Sequence, residues 1–305
     1  MRIGFAAPVS GAWATPENTV HVARAAEQAG YDSLWTYQRV LGVPDGSRGE
    51  ANRSVHDPLV TLSFLAAHTT RIRLGVAVLV MPLHAPAVLA KQLTTLDVLS
   101  GGRLDVGLGN GSMSEEYTAA GVSPAGLGRR ADDFLACLRA LWSGRAPVEH
   151  DGAFYRVPPA LFAPGPVQRP HPPLLLGGGS MAALRRAGRL CDGWIASSRS
   201  TPDAIRAAVA VVRDSAEEAG RDADALRHVC RVPVRIRSRA GADRPLFTGT
   251  TDQVRSDLAA LADTGLTEIF VDPNFDPELG SPDAPAAGVT DRVDHMLREL
   301  APGTW

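Results

Sequence analysis

Residues 103–112 read "RLDVGLGNGS", an alternating run of strand character that ends in glycines at 107, 109 and 111. Glycines just past a strand let the main chain approach a phosphate or a flat ring, so the fold turns on which kind of site this turn serves. A dinucleotide-binding Rossmann turn needs G-x-G-x-x-G after the strand. Counted from Gly107 the third glycine falls on Ser112, and from Gly109 on Ser114, so the fingerprint fails in both registers. The segments on either side therefore decide the fold.

On either side, β-rich runs at 2–8, 32–38, 71–80, 103–109, 173–178, 193–198, 227–236 and 268–273 alternate with helical patterns along the chain. Eight is the number of strands that closes a parallel barrel. Thr15-Pro16, Asp57-Pro58 and Thr201-Pro202 each set a capping oxygen before a proline at the first helical position, and Gly30, Gly220 and Gly265 stop helices. The pattern predicts an α/β fold with a parallel sheet, either open and doubly wound or closed as a (β/α)8 TIM barrel, in one domain over residues 1–305 with insertions in the loops at its C-terminal mouth. Two segments interrupt the repeat. Residues 145–172, Pro-rich and aromatic, read as a lid or binding insertion whose Phe154, Tyr155 and Phe162 either meet an apolar or aromatic ligand or pack the insertion onto the barrel, and "NFDPELGSPDAPAAG" at 274–288 reads as a mouth loop.

The chain has 305 residues and a formal net charge of -2, without a Lys/Arg block, so nothing points to nucleic acid or an anionic membrane. A small-molecule substrate is the expected partner. Cys137, Cys191 and Cys230 are far apart and have no His pair beside them, which suggests neither disulfides nor a metal site but buried free thiols. No basic leader or long apolar run stands out, giving the expectation of a soluble cytoplasmic protein. Lys91 is the only lysine and lies within a helical pattern, so Schiff-base chemistry at a strand end is not expected. A second glycine turn, "LLLGGGS", ends the fifth strand; the amides of Gly177, Gly178 and Gly179 and the Ser180 hydroxyl, at a helix start, form an anion site suited to a cofactor phosphate.

The blocks "DSLWTYQR", "DPLVTLSFLAAHTTRIRLGVAVLVMPLHAPAVLAKQLTTLDVLSGGRLDVGLGNG", "EEYTAAG" and "PGPVQRPHPPLLLGGGS" together resemble the luciferase-like oxidoreductases of the bacterial luciferase superfamily, specifically the branch that uses the deazaflavin F420. The resemblance implies a barrel that holds F420, or alternatively FMN, at its mouth, and a homodimer. It implies that Asn110 offers its amide to the polar edge of the ring and that the Ala77–Val78 bond is cis beneath the ring, while Ser112, a candidate cofactor contact, stands where some relatives carry a glutamate acid. Gln38 and Arg39 stand where many relatives have Asp-His, so the usual proton-transfer pair is missing. Gln38 keeps hydrogen-bonding capacity without a titrating proton, and Arg39 offers a permanent cation to an anionic cofactor or substrate. Tyr37, His56 and Glu115 are candidate replacements for the lost acid/base groups. The implied activity is hydride transfer between F420 and a small organic substrate; the alternatives are a reduced-FMN monooxygenase and a cofactor-binding protein without turnover.

Overall fold

The computed structural model describes residues 1–305 except 46, 240, 242 and 286. Eight parallel strands close into a barrel: β1 (Arg2–Ala6), β2 (Ser33–Thr36), β3 (Arg73–Val80), β4 (Leu104–Gly109), β5 (Leu174–Gly177), β6 (Gly193–Ala196), β7 (Arg227–Pro233) and β8 (Glu268–Asp272), with β8 pairing back onto β1. Each lies within a run expected from the sequence. The outer ring consists of α1 (Pro16–Gln28), α2 (Pro58–Ala66), α3 (Pro86–Leu99), α4 (Leu127–Leu141), α5 (Met181–Leu190), α6 (Pro202–Glu218), α7 (Thr251–Ala259) and α8 (Val289–Glu299). The three proline-opened helices are capped as expected: Thr15 accepts from the Asn18 amide, Asp57 from those of Leu59 and Val60, and Thr201 from that of Ala204. Gly30 and Gly220, with φ of 83° and 70°, turn the chain out of α1 and α6.

Strand alternation sends every second side chain inward, and these fill the barrel in layers. At the N-terminal end the layer is ionic. Asp105, fully buried, accepts from Arg73 (2.6 Å) and Arg227 (2.5 Å), while Glu268 takes Arg227 (2.7 Å) and the Ser33 hydroxyl (2.6 Å). Burial opposes the Asp105 charge, but the two guanidinium groups hold its carboxyl below the ordinary range. Above it Trp35 stacks on Phe270 at 5.1 Å among Ala6, Ala77, Leu175, Ile195 and Val229. Gly75 is required by that ring, since a Cβ there would stand 2.4 Å from Trp35. The barrel is thus solid below its mouth. The three cysteines lie buried and free, and their thiols are pushed up by burial.

The 145–172 segment corrects one expectation: it is not a lid on the mouth. It runs from the end of α4 to the start of β5, on the opposite face of the barrel. Its hairpin, Val148–Asp151 against Arg156–Ala160, is tied to Asp133 of α4 through His150 (2.6 Å) and the Tyr155 amide (3.0 Å). Its return leg is fixed by Asp97, which accepts the Val167 and Gln168 amides (2.7 and 3.0 Å) beside the beginnings of β3 and β4. Phe154 packs against Arg130, Tyr155 against Phe134, and Phe162 against Lys91, all on the outside of the barrel. The physical reason is connectivity: an αβ connection returns the chain to the N-terminal ends of the strands. No helix among the described residues is long and apolar enough to cross a membrane.

Candidate functional site

The C-terminal ends of the strands enclose two adjoining cavities of about 500 and 530 Å³, which share Ala77, Val78, Gly111, Ser112 and Arg231. The shared floor is the end of β3. There the Ala77–Val78 peptide is cis, and pairing with β4 slips between Val76 and Leu79. This bulge explains part of the glycine pattern. A Cβ on Gly109 would meet Val78 at 2.8 Å, one on Gly177 would meet it at 3.0 Å, and one on Gly107 would lie 2.2 Å from the Val76 carbonyl oxygen. Those glycines make room first for the neighbouring strand and interior. Gly179 is different. Nothing stands within 4 Å of its would-be Cβ, although it lines the cavity, so a side chain there would project into open space.

The 500 Å³ cavity carries the groups a planar phosphorylated cofactor needs. The Asn110 side-chain oxygen is buried without a partner in the wall, while the Asn110 carbonyl is held by the Tyr117 hydroxyl at 2.6 Å. On the opposite side Ser180 caps α5 through the Ala183 amide (3.2 Å), and the earlier amides of this helical turn have no intrahelical acceptor. Backbone donors, the helix dipole and the Ser180 hydroxyl there suit a phosphate. With an apolar floor, an orphaned amide oxygen and a Cβ-free cradle at Gly179, the residues present fit a flavin or a deazaflavin.

The 530 Å³ cavity is cationic. Arg231, on β7, lies over the rings of Phe275 (4.7 Å) and Tyr37 (5.3 Å), and its nearest carboxylate oxygen is Oδ2 of Asp272 at 4.0 Å. Burial lifts the Asp272 carboxyl above its ordinary value, with Arg231 and two Asn274 hydrogen bonds opposing. No Asp or Glu among the described residues lines either cavity.

The family model for luciferase-like monooxygenase matches residues 1–246. The chain belongs to the luciferase-like monooxygenase family. It is 34% identical over 221 residues to the uncharacterized protein Rv0940c of Mycobacterium tuberculosis, covering 69% of this chain and 75% of that one. It is 30% identical over 202 residues to an FMNH2-dependent dimethylsulfone monooxygenase of Pseudomonas putida, covering 65% of this chain and 53% of that one. In fold it is similar to an F420-dependent secondary alcohol dehydrogenase solved with an F420-acetone adduct, at a TM-score of 0.80, 16% identity and coverage of 100% and 99% of the two chains.

In this luciferase-like chain the residues singled out from sequence have distinct fates. Ala77, Val78, Asn110, Ser112 and Gly177–Ser180 converge on the 500 Å³ cavity, and Tyr37, Gln38 and Arg39 line its neighbour. The Gln38 amide is engaged at both ends: Oε1 accepts the Val80 amide (2.8 Å) and Nε2 lies 3.1 Å from Nε2 of His84. Burial keeps the His84 pKa below its ordinary value, which suits a neutral ring accepting from Gln38. Arg39 is no free cation, since it pairs with the buried Glu116 (3.2 Å) and touches Met113. Glu116 also accepts the Val40 and Leu41 amides (2.7 and 3.3 Å), anchoring the loop after β2. Tyr37 donates to the Ala51 carbonyl (2.9 Å); burial, and then the Asp272 charge, push its hydroxyl far above its usual range, which removes it as a neutral-pH acid or base. His56 and Glu115 are exposed and line neither cavity. Glu116, His84 and Arg231 were missed from sequence. The inward phase of Arg227, Val229 and Arg231 along β7 was the signal that could have found the last.

Proposed function

We propose that this luciferase-like chain is an F420-dependent oxidoreductase that moves a hydride between the deazaflavin and a small organic substrate held in the cationic cavity. The observation that carries the reading is the cavity pair itself: a cradle for a planar cofactor beside a second space, with no carboxylate among the described lining residues. Hydride transfer demands aligned donor and acceptor more than a nucleophile or a metal-binding acid cluster. When bound, F420 would supply a hydride-accepting or hydride-donating carbon in its central ring. The protein's part is positional. Ala77 and Val78 would support the ring, Asn110 would meet its polar edge, and the Gly177–Ser180 turn would take the phosphate. Gln38 holds the end of β3 through Val80, so its role is to fix that floor.

The second reading, a reduced-FMN monooxygenase, is favoured by the 30% identity to an FMNH2-dependent relative. Fluorescence titration separates the two. F420 is expected to bind at micromolar or tighter Kd, with FMN at least tenfold weaker; tight FMN binding without F420 binding overturns the preference. A third reading, cofactor binding without turnover, is eliminated by any substrate-dependent bleaching of F420 absorbance in a single turnover. We further propose a homodimer and a cytoplasmic location for the chain.

A further inference from the structure

A third cavity, of about 270 Å³, continues the cationic one and shares Ser198, Arg199, Pro233 and Arg235 with it. Along this trough stand Arg39, Arg48, Arg199, Arg231 and Arg235, with no Asp, Glu or Lys among the described lining residues. Composition does not account for this, since the chain has 31 basic and 33 acidic residues.

The arginines differ in how far they are neutralised. Arg39 has Glu116. Arg235 gives its guanidinium to the Phe275 carbonyl (3.0 and 3.2 Å), which leaves its charge uncompensated, and Arg48 and Arg199 have no ion pair among the described residues. Arg231 is the informative one. Its Nε and Nη1 are shut off from solvent with no hydrogen-bond partner among the described residues, and Asp272 Oδ2, likewise buried without a hydrogen-bond partner, lies 4.0 Å from Nη1. Those two nitrogens are closed to any ligand, and the part of the side chain that stays open, 21% exposed, is what faces the cavity and can meet an acceptor there. The Phe275 and Tyr37 rings on which it lies hold its plane. Guanidinium matches carboxylate, sulfonate and phosphate oxygens in bidentate fashion.

We infer that the substrate carries an oxyanionic group, a carboxylate, sulfonate or phosphate, which docks on Arg231 with Arg235 and Arg199 extending the positive trough. The inference rests on the reading above only in assigning the glycine-walled cavity to the cofactor and its phosphate. The same chemistry could come from an acidic tail of the cofactor, and the test distinguishes the two.

Benzoate and phenyl phosphate are titrated calorimetrically against their neutral counterparts, benzamide and benzyl alcohol, with and without saturating F420. The anionic probes are expected to bind at least tenfold tighter than the neutral ones, to remain bound when F420 is present, and to weaken with added salt. Arg231→Gln is expected to abolish the anion preference while leaving benzamide affinity within twofold. Equal binding of benzoate and benzamide overturns the proposal, as does displacement of the anions by F420, which would give the arginines to the cofactor's tail. If Arg231→Gln does not fold, Arg199→Gln, at an exposed position, carries the test; it is expected to weaken phenyl phosphate about threefold, and no change overturns the assignment. If F420 does not bind at all, the cofactor reading falls on its own, while the anion preference is still read on the unliganded protein or with FMN.

Discussion

His228 of β7 shows how a single side chain sets the pH response of the fold. It points out of the barrel, is 2% exposed, and neither ring nitrogen has a hydrogen-bond partner among the described residues. Burial, and then the charge of Arg213, lower its pKa from 6.5 to about 4. The unfolded chain takes up a proton near pH 6.5 that the folded chain refuses until about pH 4, so acidification across this window favours unfolding. The contribution of this group should therefore be fully present above pH 6.5 and fall by on the order of 3 kcal/mol towards pH 4, at about 1.4 kcal/mol per pKa unit. Melting temperatures at pH 7 and pH 5 test this. The drop should be smaller in His228→Leu than in the wild type, and equal drops would remove His228 as the cause. At the same scale, Tyr37, Gln38 and Arg39 were legible as mouth residues because they follow a strand end. Their partners Ala51, His84 and Glu116 come from other segments, and no local pattern announces them.

Among the elements, the strands were legible nearly to their ends because alternation and flanking turns are local signals. The glycines were legible as close approaches, but not as approaches to what. Two positions separate the possibilities. Gly188 lies where α5 crosses α6, and a Cβ there would stand 2.2 Å from the Val212 carbonyl oxygen and 3.0 Å from the Ala216 nitrogen. Gly188→Ala should destabilise the protein by about 1–3 kcal/mol through overpacking against rigid backbone. Gly179→Ala meets open space at the cavity wall, so its stability should stay within about 0.5 kcal/mol of the wild type. Its cofactor affinity should nevertheless fall at least fivefold. Denaturant melts paired with cofactor titrations would show the two substitutions failing in different assays; a Gly179→Ala protein that binds cofactor normally would remove that turn from the site.

For the whole molecule, α2 carries a clue to assembly. Its sequence, "PLVTLSFLA", is apolar on its outward side as well as its inward one, with Val60 71% and Phe64 41% exposed beside an apolar cleft of about 430 Å³. A helix hydrophobic all round is ordinarily covered on both sides, which supports the proposed homodimer. Sedimentation equilibrium should give twice the chain mass, and Phe64→Glu should shift the population towards monomer; a monomeric wild type at micromolar concentration would refute the proposal. The alternating pattern, the proline-opened helices and the strand count were enough to specify a parallel α/β sheet with a glycine-rich mouth, because each depends on neighbours a few residues away; closure came from β8 pairing onto β1 across the whole chain. Contacts between distant segments settled the rest: that the 145–172 segment lies at the far end of the barrel, that Glu116 neutralises Arg39, and that Arg231 lies over two rings with Asp272 4.0 Å away. Those facts depend on which side chains closure brings within a few ångströms, and charge pairing and burial act across space with no regard to separation along the chain.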